Sequence, residues 1–143
     1  MKFYNRIFLM GFLMVIPLAS GATNKDNLHF ITDPTLSPDG QTVVFTYEND
    51  LWQTGLNDPK AYRLTAMEGI ESHPRFSPDG QWLAFSSTKN GGADVFVMPV
   101  EGGEIKQLTW HDGNELVESW SWNSENIYFT SDGFNQFTTF RIQ

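Results

Sequence analysis

His73-Pro74-Arg75-Phe76-Ser77-Pro78-Asp79-Gly80-Gln81-Trp82-Leu83-Ala84-Phe85-Ser86-Ser87 decides the fold, because related stretches stand on either side of it. Asp33-Pro34-Thr35-Leu36-Ser37-Pro38-Asp39-Gly40-Gln41-Thr42-Val43-Val44-Phe45-Thr46 aligns with it without a gap at an offset of 40 residues, Ser37 falling on Ser77. Downstream, Val117-Glu118-Ser119-Trp120-Ser121-Trp122-Asn123-Ser124-Glu125-Asn126-Ile127-Tyr128-Phe129-Thr130-Ser131 aligns at an offset of 44, Ser77 falling on Ser121. A second marker keeps the same period: Arg63-Leu64-Thr65 recurs as Gln107-Leu108-Thr109, again 44 residues on. A period of about 40 to 50 residues marks a propeller or a solenoid, whose repeating unit cannot bury its apolar face alone.

Each Pro-Asp-Gly is a turn with a mechanism. Pro38 and Pro78 preset φ, Asp39 and Asp79 bond the local backbone, and Gly40 and Gly80 accept positive φ. The third copy has Trp122-Asn123-Ser124 instead, so a looser turn is expected there. After the turn, Trp82 and Ala84 fall on one face of a strand and Leu83 and Phe85 on the other, so both faces need cover. Asp94 to Val100 reads the same way, and Glu101-Gly102-Gly103-Glu104 turns the chain into a fourth strand over Ile105 to Thr109. Four antiparallel strands, apolar on both faces, describe a propeller blade wedged between neighbours. A free-standing sandwich would alternate polar residues on a wet face. No apolar stripe of 3.6-residue period follows residue 22, which excludes a helical solenoid. The expected fold is therefore all-β: blades of four antiparallel strands, about three of them, near residues 30–65, 71–109 and 115–143. Propellers close with typically four to eight blades, so this is an incomplete propeller. The third copy offers a third strand over Phe137 to Ile142 and the sequence ends at Gln143, which makes it the expected front of a longer propeller protein.

The 143 residues suffice for roughly one domain. Lys2 and Arg6, the apolar run from Ile7 to Leu18, and Ser20-Gly21-Ala22 read as a secretory signal peptide over residues 1–22. The run falls short of the ~20 residues that span a bilayer, so cleavage is expected over anchoring. This leaves a propeller segment over residues 23–143, periplasmic or secreted, with no membrane association after cleavage and no room for a preceding domain. There is no Cys for a lipid anchor or a disulfide. Loss of Lys2 and Arg6 moves the formal charge from −8 to −10, which argues against nucleic acid and anionic lipid as partners. Trp52, Phe76, Trp82, Phe85, Phe96, Trp110, Trp120, Trp122, Tyr128 and Phe129 are an apolar load that calls for burial and a folded chain.

Phe76 to Ser87, Asp94-Val95-Phe96-Val97-Met98 and Gly102 to Thr109 together resemble the TolB-type, WD40-like β-propeller repeat. That repeat occurs in TolB, in tricorn-type serine peptidases and in prolyl-oligopeptidase-type enzymes. TolB proteins place an α/β domain between signal and propeller, whereas Asp33 to Gly40 is already blade sequence here. With Val43 to Trp52 and Val97 to Gly103, the chain most resembles the N-terminal propeller of exported tricorn-type peptidases. The resemblance implies a non-catalytic segment that binds peptide or protein, or gates substrate, for a catalytic domain or further blades elsewhere in the parent protein. A TolB-like periplasmic interaction module and the propeller of a prolyl-oligopeptidase-type hydrolase are the alternatives.

No Gly-x-Ser-x-Gly, His-Glu-x-x-His, Gly-x-Gly-x-x-Gly or phosphate-loop pattern exists in the sequence, so no catalytic or cofactor-binding residue is assigned. Glu48, Asp50, Asp58 and Asp94 lack the alternating pattern of a calcium loop, and no metal is expected. In the resembled family the first strand of each blade lines the central channel. Asp33, His73 and Val117 align there, followed by Thr35, Arg75 and Ser119. Asp33, His73, Arg75 and Glu118 are thus the candidate channel-lining contacts for a peptide or partner segment. Mutual pairing or solvation of these four is the plainer reading.

Overall fold

The computed structural model describes residues 30–133 and 138–142, so the expected signal peptide lies outside the described residues. Three antiparallel sheets follow the three copies. The first blade is β1 (Thr32–Leu36), β2 (Thr42–Tyr47), β3 (Asp50–Gly55) and β4 (Ala61–Arg63), hydrogen-bonded in that order. The second is β5 (Glu71–Phe76), β6 (Trp82–Asn90), β7 (Gly92–Pro99) and β8 (Lys106–Gln107). In the third, β10 (Ile127–Ser131) lies between β9 (Glu115–Trp120) and β11 (Thr138–Ile142), with Phe129 opposite Phe140. The outer strand β8 is shorter than the expected Ile105 to Thr109, although Leu108 still donates its N–H to Val95 O at 2.8 Å. The first strands pack side by side, β1 on β5 and β5 on β9, which places the axis of the fan along them.

The two-faced pattern of β6 and β7 has the structural meaning expected of it. Leu83, Phe85, Phe96 and Met98 meet Val44 and Leu51 of the first blade in one buried seam. Ala84, Val95 and Val97, on the opposite face, meet Val117, Ile127 and Phe129 of the third blade in another. Alternation of side chains along each strand thus sends one set into each seam.

The three turns share one backbone geometry. Gly40, Gly80 and Ser124 donate N–H to the carbonyls of Ser37, Ser77 and Ser121, each at 2.9 Å. Asp39 Oδ1 accepts the Ser37 hydroxyl at 2.5 Å and the Gln41 N–H at 3.0 Å, and Asp79 repeats both bonds with Ser77 and Gln81. These bonds hold both exposed Asp carboxyls below their ordinary pKa, the serine hydroxyl contributing most. The third turn keeps this backbone shape with longer side-chain bonds, the Glu125 N–H reaching Asn123 Oδ1 at 3.4 Å, in the direction of the looser turn expected. Asn123 Oδ1 accepts the Ser121 hydroxyl at 2.7 Å, and Ser124 takes φ 61°, close to 70° at Gly40 and 72° at Gly80. The serine at the head of the turn, not Pro-Asp-Gly alone, fixes the geometry. A Cβ at Gly80 would meet nothing nearer than Pro38 Cδ at 3.8 Å, so substitution there costs backbone strain and no collision. Gly80→Val is expected to cost about 1–2 kcal/mol in urea unfolding and Gly80→Asn less; equal losses would contradict this assignment.

Burial of the aromatic residues is uneven. Phe85 and Phe96 are buried, but Trp122 is 95% exposed, Trp110 is 72% exposed, and Trp82 is exposed as well, against expectation. Trp122 stands where Pro38 and Pro78 stand in the other turns, outside the strands whose alternation fills the seams.

Candidate functional site

The end of the first strands and the turns that follow them form a cleft of about 260 Å³. Its walls come from matching positions of the three blades: Thr35, Arg75 and Ser119; then Leu36, Phe76 and Trp120; then Pro38, Pro78 and Trp122. Fan geometry explains the convergence, since equivalent residues of neighbouring blades come together near the axis. Arg75 Nε donates to Glu118 O at 2.9 Å, and Trp120 Nε1 donates to Arg75 O at 2.9 Å, so the second and third blades are tied across the cleft. Glu118 lines the cleft, and its carboxylate accepts the Thr130 hydroxyl at 3.2 Å.

Of the four candidate contacts, the structure brings Arg75 and Glu118 together; neither Asp33 nor His73 lines this cleft. Asp33 and His73 occupy the same place in successive blades, a register shift between Thr32 and Thr35 and between Ser72 and Arg75. Both are left-handed there, with φ 50° and 53°. That conformation costs non-glycine residues on the order of 1 kcal/mol or more. Such bulges re-aim the side chains that follow. Val117, aligned with His73, is fully buried in the seam between the second and third blades, so this position does not uniformly face a channel. His73 Nδ1 is buried with no hydrogen-bond partner. Trp122 escaped the sequence reading as a site residue because its size suggested core; its replacement of a turn proline was the available signal.

The seams hold a second feature that sequence reasoning missed. Glu71 opens β5 fully buried, its carboxylate accepting the Thr65 hydroxyl at 2.9 Å and the Ser87 hydroxyl at 3.3 Å. Burial, reinforced by the neighbouring Asp50 carboxylate, pushes its pKa up to about 7 against the opposing Thr65 bond. Asp50 is bridged to Arg63 at 2.6 Å, while its Oδ1 is buried without a partner. At the next seam Glu115 accepts the Ser131 hydroxyl at 2.8 Å, and Asp94 accepts from Thr109 at 3.2 Å and from Gln107, which replaces Arg63, at 2.9 Å. Recurrence 44 residues apart of Asp50, Thr65, Glu71 and Ser87 as Asp94, Thr109, Glu115 and Ser131 was the signal. Among the described residues no group of three or more His, Cys, Asp or Glu is placed to hold a metal ion.

Residues 28–141 match the model of the tricorn protease N-terminal β-propeller domain. The chain belongs to that family. The tricorn protease homolog 1 of Streptomyces coelicolor is 42% identical over 85 residues, covering 59% of this chain and 8% of that protein. A tricorn protease homolog of Saccharolobus solfataricus is 35% identical over 97 residues, covering 64% of this chain and 9% of that protein. The chain thus spans less than a tenth of these tricorn relatives. The fold is shared with the solved tricorn protease, at a TM-score of 0.70 and 21% identity over 80% of this chain and 12% of that one. It is shared also with TolB from Acinetobacter baumannii, at a TM-score of 0.62 and 22% identity over 78% of this chain and 32% of that one.

Proposed function

We propose that this tricorn-family propeller segment is a non-catalytic peptide- or protein-binding element that gates substrate for a peptidase, with the three-blade cleft as its contact surface. The observation that carries the reading is the cleft's construction. Equivalent positions of three blades converge on it, yet the residues presented there differ from blade to blade: Thr35 against Arg75 and Ser119, and Pro38 and Pro78 against Trp122. Repeats kept for packing alone have no need to diverge at one solvent-facing locus. The cleft is lined mainly by apolar residues with a few polar ones among them, the usual make-up of a small binding surface.

Photoreactive peptides of about ten residues test this. They are expected to label Trp122, Trp120 and the Phe76 wall in preference to Trp110, which lies in the connection between β8 and β9 and does not line the cleft. Even labelling of the cleft and Trp110, or labelling of Trp110 alone, would remove the cleft from the proposal.

A further inference from the structure

We infer that the cleft selects extended peptide segments carrying Lys or Arg over neutral or acidic ones; this rests on the peptide-binding reading above. A second groove, of about 320 Å³, adjoins the first and shares Pro38 and Phe76 with it. Four acidic residues line the pair: Asp39, Asp79 and Glu101 in one groove and Glu118 in the other. The single cation among the lining residues is Arg75, and its Nε and Nη1 are already given to the carbonyls of Glu118 and Pro74. The turn bonds at Asp39 and Asp79 fall on Oδ1 of each, so both side chains stay charged with Oδ2 outside the turn network.

Trp122 adds the second element of recognition. Its almost fully exposed ring lines the first groove with Glu118, next to the groove that Asp39, Asp79 and Glu101 line, so an ammonium or guanidinium group on the ring gains a cation–π contact with one acidic residue in the same groove and three in the adjoining one. The proline and aromatic surfaces of Pro38, Pro78, Phe76 and Trp120 are suited to the apolar stem of the same Lys or Arg side chain. A chain with a net charge of −8 also draws cationic segments toward it from a distance, an attraction that salt screens.

Calorimetric titration of the whole chain with length-matched peptides bearing Lys, Ser or Glu at alternate positions tests the inference. The Lys peptide is expected to bind about tenfold more tightly than the Ser peptide, with the Glu peptide weakest, and to lose most of that margin when salt is raised from about 50 mM to 500 mM. Trp122→Ala is expected to weaken the Lys peptide about three- to fivefold, and Trp110→Ala to leave it unchanged. Glu101→Gln combined with Glu118→Gln should narrow the Lys-over-Ser margin without weakening the Ser peptide. Equal affinity for all three peptides, still sensitive to Trp122→Ala, would overturn the charge selection and leave peptide binding standing. Binding of none, or binding insensitive to Trp122→Ala, would overturn both.

Discussion

Phe85→Ala is expected to lower the unfolding free energy by about 3–5 kcal/mol, the range for deleting a large aromatic side chain from a packed core. Phe85 is 0% exposed in the middle of β6 and faces the first blade. Its ring stacks on Phe96 with centroids 5.8 Å apart and planes 19° from parallel. Leu83 and Met98 flank it from its own blade, while Val44 and Leu51 cover it from the first. The cavity would open in the seam itself, between two sheets that single backbone shifts cannot bring together. Small domains have about 5–15 kcal/mol to lose, so this one change threatens the fold. Trp122→Ala, removing a larger side chain that contacts mostly solvent, is expected to stay within about 0.5 kcal/mol. Urea unfolding of both variants checks the pair. A loss below about 1 kcal/mol for Phe85→Ala would mean that the blades do not pack through this seam.

The contrast between those two aromatics shows what the sequence could and could not disclose. Strand alternation around the repeated turn located Leu83 and Phe85 against Ala84 correctly, because side-chain period two is a local property. Membership of the tricorn N-terminal propeller family was legible for the same reason, since the repeat spans residues that sit next to one another. Trp122 was misread because composition assigns a large ring to the core, and only its position in a turn tells otherwise. Trp122-Asn123-Ser124, expected to turn more loosely, keeps the backbone shape of the other turns with longer side-chain bonds: Ser121 builds the turn through its hydroxyl, and Ser124 tolerates the left-handed φ that glycine takes elsewhere. The cleft was half visible. Arg75 and Glu118 were picked out by their departure from the repeat, but the bulges at Asp33 and His73 shift register by an amount no one-dimensional alignment reveals. Glu71 was missed for another reason, although its recurrence as Glu115 stood in the sequence. An acid at the start of a strand reads as solvated, and its burial arises only when a neighbouring blade closes over it.

That burial makes stability depend on pH in an unusual direction. The native Glu71 carboxyl, with its pKa about 7, holds a proton that the unfolded chain releases near 4.5. Between those values the folded state binds more protons than the unfolded state, so stability falls as pH rises, and the contribution is lost once pH passes through the folded pKa. A tenfold difference in proton affinity between the two states is worth about 1.4 kcal/mol. The loss between about pH 4.5 and 7 is expected to be on the order of 2–3 kcal/mol. Asp39, Asp79 and Asp132 act oppositely: their carboxyls are held low by hydrogen bonds, so their contribution is present above the unfolded value of 3.8 and fades as pH drops through the folded one. The two windows do not overlap. Protonated Glu71 also supplies what the seam lacks, a donor beside the buried, unpartnered Oδ1 of Asp50. Glu71→Gln imitates that neutral form at every pH: its carbonyl can still accept from Thr65, and its amide can face Asp50. The variant is therefore expected to match the wild type near pH 5, to exceed it by on the order of 2–3 kcal/mol at pH 8, and to flatten the slope between. Glu118→Gln, a change at an exposed carboxylate, should leave the slope intact. Urea unfolding at half-unit pH steps reads all three curves. A wild-type stability that rises from pH 5 to 8, or a Glu71→Gln curve parallel to the wild type, would show that Glu71 enters the seam charged and that burial there is balanced by its hydroxyl partners alone.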